Sequence, residues 1–174
     1  MTSNLIMRSI VGFVLCSGLA MATAAQGAPR LSRAVAVTVK GEAEYHGEGQ
    51  TDWKPLRRGM ALTEGASSRT ETNSTTDLWM SPDAYVRVTP TTIIRFDQLR
   101  QEIKGLPQDG GRPDVITTID LERGKLLVQA NEPTPGSEFA VTTRGCLREV
   151  RVFGAYSVWL LNNRACVRVR ESRA

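Results

Sequence analysis

The stretch that decides the fold runs from Trp53 to Phe96 and reads WKPLRRGMALTEGASSRTETNSTTDLWMSPDAYVRVTPTTIIRF. Short apolar runs alternate with polar residues, and turn-forming residues separate these runs every several positions. This pattern is typical of many short β-strands. No window of comparable length carries apolar residues at helical spacing. The sequence therefore predicts an all-β core whose functional side chains lie on strands and loops.

Length and composition limit the classes of protein to consider. The chain has 174 residues, which is room for one ordinary domain and a targeting segment. Aromatic residues make up only 6% of the chain, so the core must be built mostly from Val, Leu, Ile and Met. The formal net charge is +4, a bias too small to indicate a nucleic-acid binder. We expect no nucleic-acid partner.

The first 25 residues are predicted to be a secretory signal peptide. An apolar run from Ile10 to Met21 precedes small residues suited to cleavage after Ala24 or Ala25. This run is shorter than the roughly 20 apolar residues that span a bilayer core. Because Arg8 is the only basic residue before the run, an anchor that is retained stays open as the alternative. The mature protein is expected in the periplasm or outside the cell, with a linker at 26–33 and one β-domain at 34–170.

The rest of the chain continues the strand pattern. Ala34 to Lys40 alternates cleanly, so Val35, Val37 and Val39 are predicted to share one strand face. Three hairpins are predicted, with connections at Ser81-Pro-Asp-Ala84, at Gly124 and at Asn162-Asn163. Gly59, Gly65 and Gly124 are predicted at structural turns, at least one of them with positive φ. The count is about ten to twelve short strands, arranged as a sandwich or a β-solenoid-like fold.

The turn glycines and strand hydrophobics form a longer pattern. It reads Trp53-x-x-Leu56-x-x-Gly59-x-x-Leu62-x-x-Gly65, then Thr70, Val88-x-Pro90-x-Thr92, Ile119-x-Leu121-x-x-Gly124-x-Leu126 and Phe139-x-Val141-x-Thr143. This pattern resembles the FecR-like periplasmic domain family, over nearly all of the mature chain. Three positions depart from the family pattern, and at one of them Gly154-Ala155-Tyr156 matches the family's Gly-Thr-x-Phe strand only loosely. Ser81-Pro-Asp-Ala84 replaces an Asp-Gly-Ser-type turn, and Thr143 stands where proline is usual.

The resemblance implies a role in the cell envelope. Members of the family are all-β domains that take part in envelope signalling. In the best-known arrangement an outer-membrane transporter contacts the domain, which relays its state to a cytoplasmic anti-sigma segment. Only nine residues precede Ile10, so we expect a stand-alone domain without that segment. The implied partner is an envelope protein, either a transporter or a sensor.

The sequence gives little support for a catalytic site or a metal-binding site. His46 is the only histidine, and no Gly-x-Ser-x-Gly nucleophile elbow is present. The acidic and histidine side chains of Glu42, Glu44, His46 and Glu48 would share a strand face that could hold a divalent metal. A solvated edge that discourages aggregation explains them more simply. We therefore expect no enzyme activity, catalytic residue, bound metal or cofactor.

Two surfaces are candidates for binding a partner. Trp79 lies between Leu78 and Met80, so it is exposed on the outer face if those two face the core. The carboxy end carries arginines that could make weak contact with anionic cell-wall or lipid groups. We prefer to interpret them as the solvent side of strands whose Val150, Val152, Val167 and Val169 face inward. These arginines are Arg144, Arg148, Arg151, Arg164, Arg168, Arg170 and Arg173.

Cys146 and Cys166 are predicted to form a disulfide. They are the two cysteines that remain after the signal peptide, and an oxidising compartment favours pairing. A loop of about twenty residues closed in this way would stabilise the fold by roughly 3 kcal/mol. The alternative is two buried, unpaired thiols.

The function expected from these observations is binding. We expect an exported, non-enzymatic FecR-like domain that mediates protein–protein contact or signalling in the cell envelope. The alternative is a β-module that binds cell wall or polysaccharide through Trp79 and the polar strands near it.

Overall fold

The computed structural model describes residues 30–80, 84–102, 114–131, 136–143, 146–150, 154–161 and 164–170. The predicted signal peptide and half of the predicted linker lie outside these residues. The described part of the chain contains strands and turns and no helix, which confirms the all-β prediction. Accordingly, no helix in that part is available to cross a membrane.

Fifteen strands lie within the described residues, and three of them are only two residues long. Without these three, twelve strands remain, at the upper end of the predicted range. The strands are β1 (Arg30–Leu31), β2 (Ala34–Lys40), β3 (Ala43–His46), β4 (Lys54–Pro55), β5 (Ala61–Leu62), β6 (Ser67–Thr70), β7 (Thr75–Met80), β8 (Ala84–Val88), β9 (Ile93–Glu102), β10 (Asp114–Arg123), β11 (Lys125–Ala130), β12 (Glu138–Thr143), β13 (Cys146–Val150), β14 (Gly154–Leu161) and β15 (Arg164–Arg170).

These strands form two sheets that pack as a sandwich. Sheet 1 has the order β13-β12-β10-β9-β6-β3-β4, and β1 pairs with β9. Sheet 2 has the order β15-β14-β11-β8-β7-β2-β5. Neighbouring strands are antiparallel except for β10 and β12, which run parallel. Of the two predicted architectures, the structure has the sandwich. Strand β1 falls inside the segment predicted as a linker, so part of that segment belongs to the domain.

The core lies between the sheets and follows the period-2 pattern of the sequence. In β7 and β8 every second residue is buried, including Leu78, Met80 and Val86. Sheet 1 contributes Ile94 and Phe96 from β9, both fully buried as expected. The hairpins β7–β8 and β14–β15 also form as predicted. Local alternation was therefore sufficient to assign the buried face of these strands.

Strand β2 departs from the simple alternation that its sequence suggests. Ala34 and Ala36 are fully buried, so Val35 lies on the outer face. A register shift between Ala36 and Thr38 then reverses which residues face inward, so that Val39 packs against the core. The prediction that Val35 and Val39 share a face with Val37 is wrong because a bulge adds one residue to the strand.

Gly124 does not join a hairpin. Strand β10 before it pairs with β9 and β12 in sheet 1, while β11 after it pairs with β8 and β14 in sheet 2. The chain therefore crosses from one sheet to the other at this glycine, which has a φ of 93°. It returns to sheet 1 with β12, and this return makes β12 parallel to β10. The predicted Gly124 hairpin is wrong, since the two strands bury their apolar faces from opposite sides of the core.

Buried threonines hold together the corner where the chain crosses between sheets. The Thr70 hydroxyl donates to the Thr89 carbonyl oxygen at 2.6 Å and accepts from the Thr92 N–H at 3.2 Å. The Thr92 hydroxyl in turn accepts from the Lys125 N–H at 3.1 Å. These bonds join β6, the β8–β9 connection and the β10–β11 connection, so we call Thr70, Thr89, Thr92, Gly124 and Lys125 the threonine corner.

Tyr156 carries a buried hydroxyl group without compensation. The side chain is 1% exposed, and its oxygen has no hydrogen-bond partner among the described residues. Burial also raises the pKa of the Tyr156 phenol. An unpaired buried hydroxyl costs about 1–3 kcal/mol relative to a paired one. The tyrosine hydroxyl at this position therefore lowers the stability of the fold.

We expect Tyr156→Phe to raise the free energy of unfolding by about 1 kcal/mol at neutral pH. The unfolded chain releases this phenol proton near pH 10, whereas the folded chain keeps it, so the native tyrosine loses stability as the pH rises above about 10. The advantage of the variant should therefore grow in alkali. Urea unfolding of both proteins at neutral and alkaline pH measures it. A less stable variant, or a constant difference across pH, would contradict this account.

Candidate functional site

Trp79 lies on the outer face of sheet 2. Its neighbours Leu78 and Met80 are 0% and 1% exposed, while Trp79 itself is half-buried. Tyr85 of β8 stands directly opposite Trp79 in the strand register, and Val35 of β2 stands opposite it on the other side. Tyr85 is 52% exposed. A partly exposed aromatic pair therefore lies across β7 and β8 near the end of their hairpin, with a β-branched residue beside it.

A charged pair, Asp77 and Arg87, lies two residues further along the same two strands, on the same face. The Arg87 Nε donates to the Asp77 carboxylate at 2.6 Å, and its second nitrogen donates at 3.0 Å. This two-pronged hydrogen bond raises the pKa of Arg87. It also fixes the orientation of the guanidinium plane relative to Asp77, because two of its three nitrogens donate to the two carboxylate oxygens. The arginine is thus held in a defined orientation on the surface.

Tyr85, Asp77 and Arg87 line a shallow groove of about 380 Å³, and Trp79 stands opposite Tyr85 without lining the groove itself. Its lining combines apolar, charged and amide side chains, which is a composition suited to recognising another molecule rather than to dry packing. The lining residues are Val37, Asp77, Tyr85, Val86, Arg87, Leu127 and Gln129. We call this groove together with Trp79 the Trp79 face.

Trp159 of β14 also lies on the outer face of sheet 2, opposite Lys125 of β11. Lys125 places its ammonium group 5.6 Å from the centre of the Trp159 ring, a cation–π contact. Cys166 of β15 stands opposite Trp159 in the register.

The cysteine pairing remains a prediction. Cys166 is a free, half-buried thiol. Cys146 begins β13 in sheet 1, opposite Thr143, and its side chain lies outside the described residues. The two cysteines thus belong to different sheets, and any disulfide between them would join sheet 1 to sheet 2.

A second aromatic cluster lies on the outer face of sheet 1. Trp53 meets the His46 ring edge-on at 4.5 Å between ring centres, and Arg69 lies 4.4 Å over the Trp53 ring. Arg69 also pairs with Glu44 at 2.5 Å. Of the four residues considered for a metal, Glu44 and His46 are thus engaged with neighbours. No group of three potential metal ligands occurs among the described residues.

Another ion pair of sheet 1, between Arg100 and Glu64, is structural. Arg100 donates to the Glu64 carboxylate, and the Leu99 N–H donates to the same group at 3.1 Å. The hydrogen bond from Arg100, supported by the one from Leu99, holds the pKa of Glu64 below its ordinary value. Glu64 precedes Gly65, so this pair ties the Gly65 turn to β9. We therefore assign the Arg100–Glu64 ion pair a role in folding rather than in binding or catalysis.

The three predicted turn glycines all adopt positive φ, at 83° for Gly59, 78° for Gly65 and 93° for Gly124. Gly124 lies in the threonine corner, beside residues Thr70 and Thr92 of the same sequence pattern. The pattern residues therefore converge on a structural junction between the sheets. They explain the fold and do not by themselves form a binding site.

The carboxy-terminal strand leaves two inward-facing valines exposed. Val167 and Val169 lie on the same strand face as buried Val158 and Tyr156, yet they are 40% and 55% exposed. Both valines face inward, as the preferred interpretation has it, but β15 is the last strand of sheet 2 and leaves them partly exposed. The corresponding side chains of Val150 and Val152 lie outside the described residues.

The sequence predicted the outward direction of Trp79, but it did not identify the other residues of the Trp79 face. Tyr85 and Arg87 alternate with buried Ala84, Val86 and Val88, so their outward direction was readable from β8 alone. Their position opposite Trp79 and Asp77 depends on the hairpin register.

Comparison with protein-family models, curated proteins and solved structures gives no match to this chain. The FecR-like resemblance remains a prediction that rests on the pattern residues.

Proposed function

We propose that this protein is a non-enzymatic binding module of the cell envelope, which contacts another envelope protein through the Trp79 face. The observation that carries the proposal is the Trp79–Tyr85 pair, placed outward beside the Asp77–Arg87 pair. Tryptophan, tyrosine and arginine are the residues most enriched at protein interfaces and at their energetic centres. An orienting ion pair at the rim would add specificity to the apolar contact.

Export to the envelope and a signalling role belong to the same proposal. Both rest on the predicted signal peptide and on the FecR-like pattern. A transporter or a sensor is the partner that this resemblance implies.

A glycan ligand is the second candidate. Trp79 and Tyr85 provide aromatic rings, and Gln129 and the Asp77–Arg87 pair provide hydrogen-bonding groups beside them. Small-molecule sites combine an apolar surface with a few oriented polar groups in this way. The groove is shallow, so it would take an extended polymer more readily than an isolated small molecule.

We expect Trp79→Ala to weaken partner binding by about tenfold or more, since truncating a central interface aromatic typically costs 2 kcal/mol or more. The fold should change little, because Trp79 lies off the core face. The measurement is copurification and cross-linking of envelope proteins with the tagged full-length chain. Trp53→Ala is the matched control, since it removes the same side chain from the opposite sheet.

The outcome separates the candidates. Loss of a captured envelope protein in Trp79→Ala but not in Trp53→Ala supports the protein partner. Trp79-dependent binding of soluble cell-wall fragments, with no protein captured, would favour the glycan candidate. If Trp79→Ala unfolds the protein while the remaining folded fraction binds normally, the Trp79 face is not the site.

A further inference from the structure

The edge of sheet 2 formed by β15 is unusually open. This strand pairs with β14 over seven residues without a register shift, and no other described strand pairs with it. Strand β13 approaches it at this end of the sandwich but pairs with β12 instead. The outer edge of β15 therefore presents backbone N–H and C=O groups that could pair with a further strand.

Two of the other three sheet edges are too short to add a strand, and the third, β13, is five residues long and pairs with β12 through a register shift. The opposite edge of sheet 2 is β5 and one edge of sheet 1 is β4, and each is only two residues long. Short edges of this kind offer too few hydrogen bonds to add another strand. By contrast, β15 contains no proline and leaves Val167 and Val169 40% and 55% exposed on its inner face. An added strand could cover these valines with its own apolar residues.

The charges of β15 select the kind of strand that fits. Arg164 and Arg168 lie on its outer face, alternating with the valines of the inner face, and both are exposed. An antiparallel second copy centred on Cys166 would place Arg164 opposite Arg168. Like charges directly opposite each other destabilise a pair of strands, whereas opposite charges stabilise it. A second copy of this chain is therefore disfavoured, and an acidic strand is favoured.

We propose that β15 binds an extended acidic segment of a partner polypeptide as an additional strand of sheet 2. The segment would alternate acidic residues, facing Arg164 and Arg168, with apolar residues that cover Val167 and Val169. Such β-strand addition takes its affinity from backbone hydrogen bonds and its specificity from alternate side chains. The inference rests on the proposed function, because it specifies the partner's chemistry, but it uses an element separate from Trp79.

A synthetic peptide tests this inference directly. The probe is a fluorescent peptide as long as β15, in which glutamate and valine alternate. One control peptide has the same composition with the glutamates clustered, and another has lysine in place of glutamate. Fluorescence anisotropy with the full-length protein gives the affinity of each. Amide hydrogen exchange locates the bound peptide, since new backbone hydrogen bonds slow exchange in the strand that makes them.

We expect the alternating acidic peptide to bind about tenfold or more tightly than either control, and to slow exchange in β15. Arg164→Glu combined with Arg168→Glu should reverse the preference toward the lysine peptide. Arg58→Glu is the matched control, because Arg58 is exposed in the turn before Gly59 and should leave binding unchanged. If the double variant does not fold, Arg168→Gln should still weaken binding of the acidic peptide.

Equal binding of the clustered peptide, exchange protection outside β15, or unchanged affinity after charge reversal would each overturn the inference. Sedimentation that shows a dimer paired through β15 would overturn it in favour of a second copy. Trp79→Ala should leave peptide binding intact. A failure at β15 is thus distinguishable from a failure of the proposed function, which depends on Trp79.

Discussion

Gly124→Val should lower the free energy of unfolding by about 3 kcal/mol or more, the largest loss expected from a single turn position. The backbone at Gly124 has a φ of 93°, a conformation that β-branched residues strongly avoid. A Cβ atom there would also lie 2.7 Å from the Thr92 Cα, which is backbone and cannot move aside. Thermal and urea unfolding of the full-length variant measure the loss.

Gly59→Val is the matched control for the contribution of packing. Gly59 has a similar φ of 83°, but an added Cβ would meet nothing within 4 Å. The control should therefore lose only the cost of backbone strain, about 1–3 kcal/mol. Gly65→Val should fall between the two, because its Cβ would meet the flexible side chain of Glu48. Equal losses of unfolding free energy at Gly59 and Gly124 would show that the threonine corner accommodates the added side chain without a further loss of stability.

Thr70→Val should lower the free energy of unfolding by about 2 kcal/mol or more. Valine has nearly the same shape as threonine, so the change removes two hydrogen bonds without opening a cavity. It leaves the Thr89 carbonyl and the Thr92 N–H without the partner that Thr70 provides. Thr70 is 3% exposed, so water does not readily replace the lost hydroxyl. Urea unfolding gives the change.

Thr76→Val is the control that isolates the hydrogen bonds. Thr76 is fully buried, but its hydroxyl has no partner among the described residues. The same chemical change should therefore be neutral or stabilising there, since it removes an unpaired polar group from the core. If both variants lose stability equally, the loss at Thr70 reflects packing rather than the hydrogen bonds of the threonine corner.

The outward direction of Trp79 was readable from sequence because alternation is a local property. Leu78 and Met80 identify the buried face of β7, and the side chain between them must point away from it. Its surroundings were not readable in the same way. Tyr85 and Arg87 reach Trp79 and Asp77 only through the register of β7 with β8, and Leu127 reaches the groove only because β11 pairs with β8.

By itself, the sequence determined the all-β class, the turn positions of Gly59, Gly65 and Gly124, and the buried face of most strands. Each of these follows from residues a few positions apart. The tertiary structure decided which sheet each strand joins. It sent the chain across the core at Gly124, placed a bulge in β2 and left Val167 and Val169 at an open edge. These outcomes depend on contacts between distant segments, whose combined burial outweighs the local pattern.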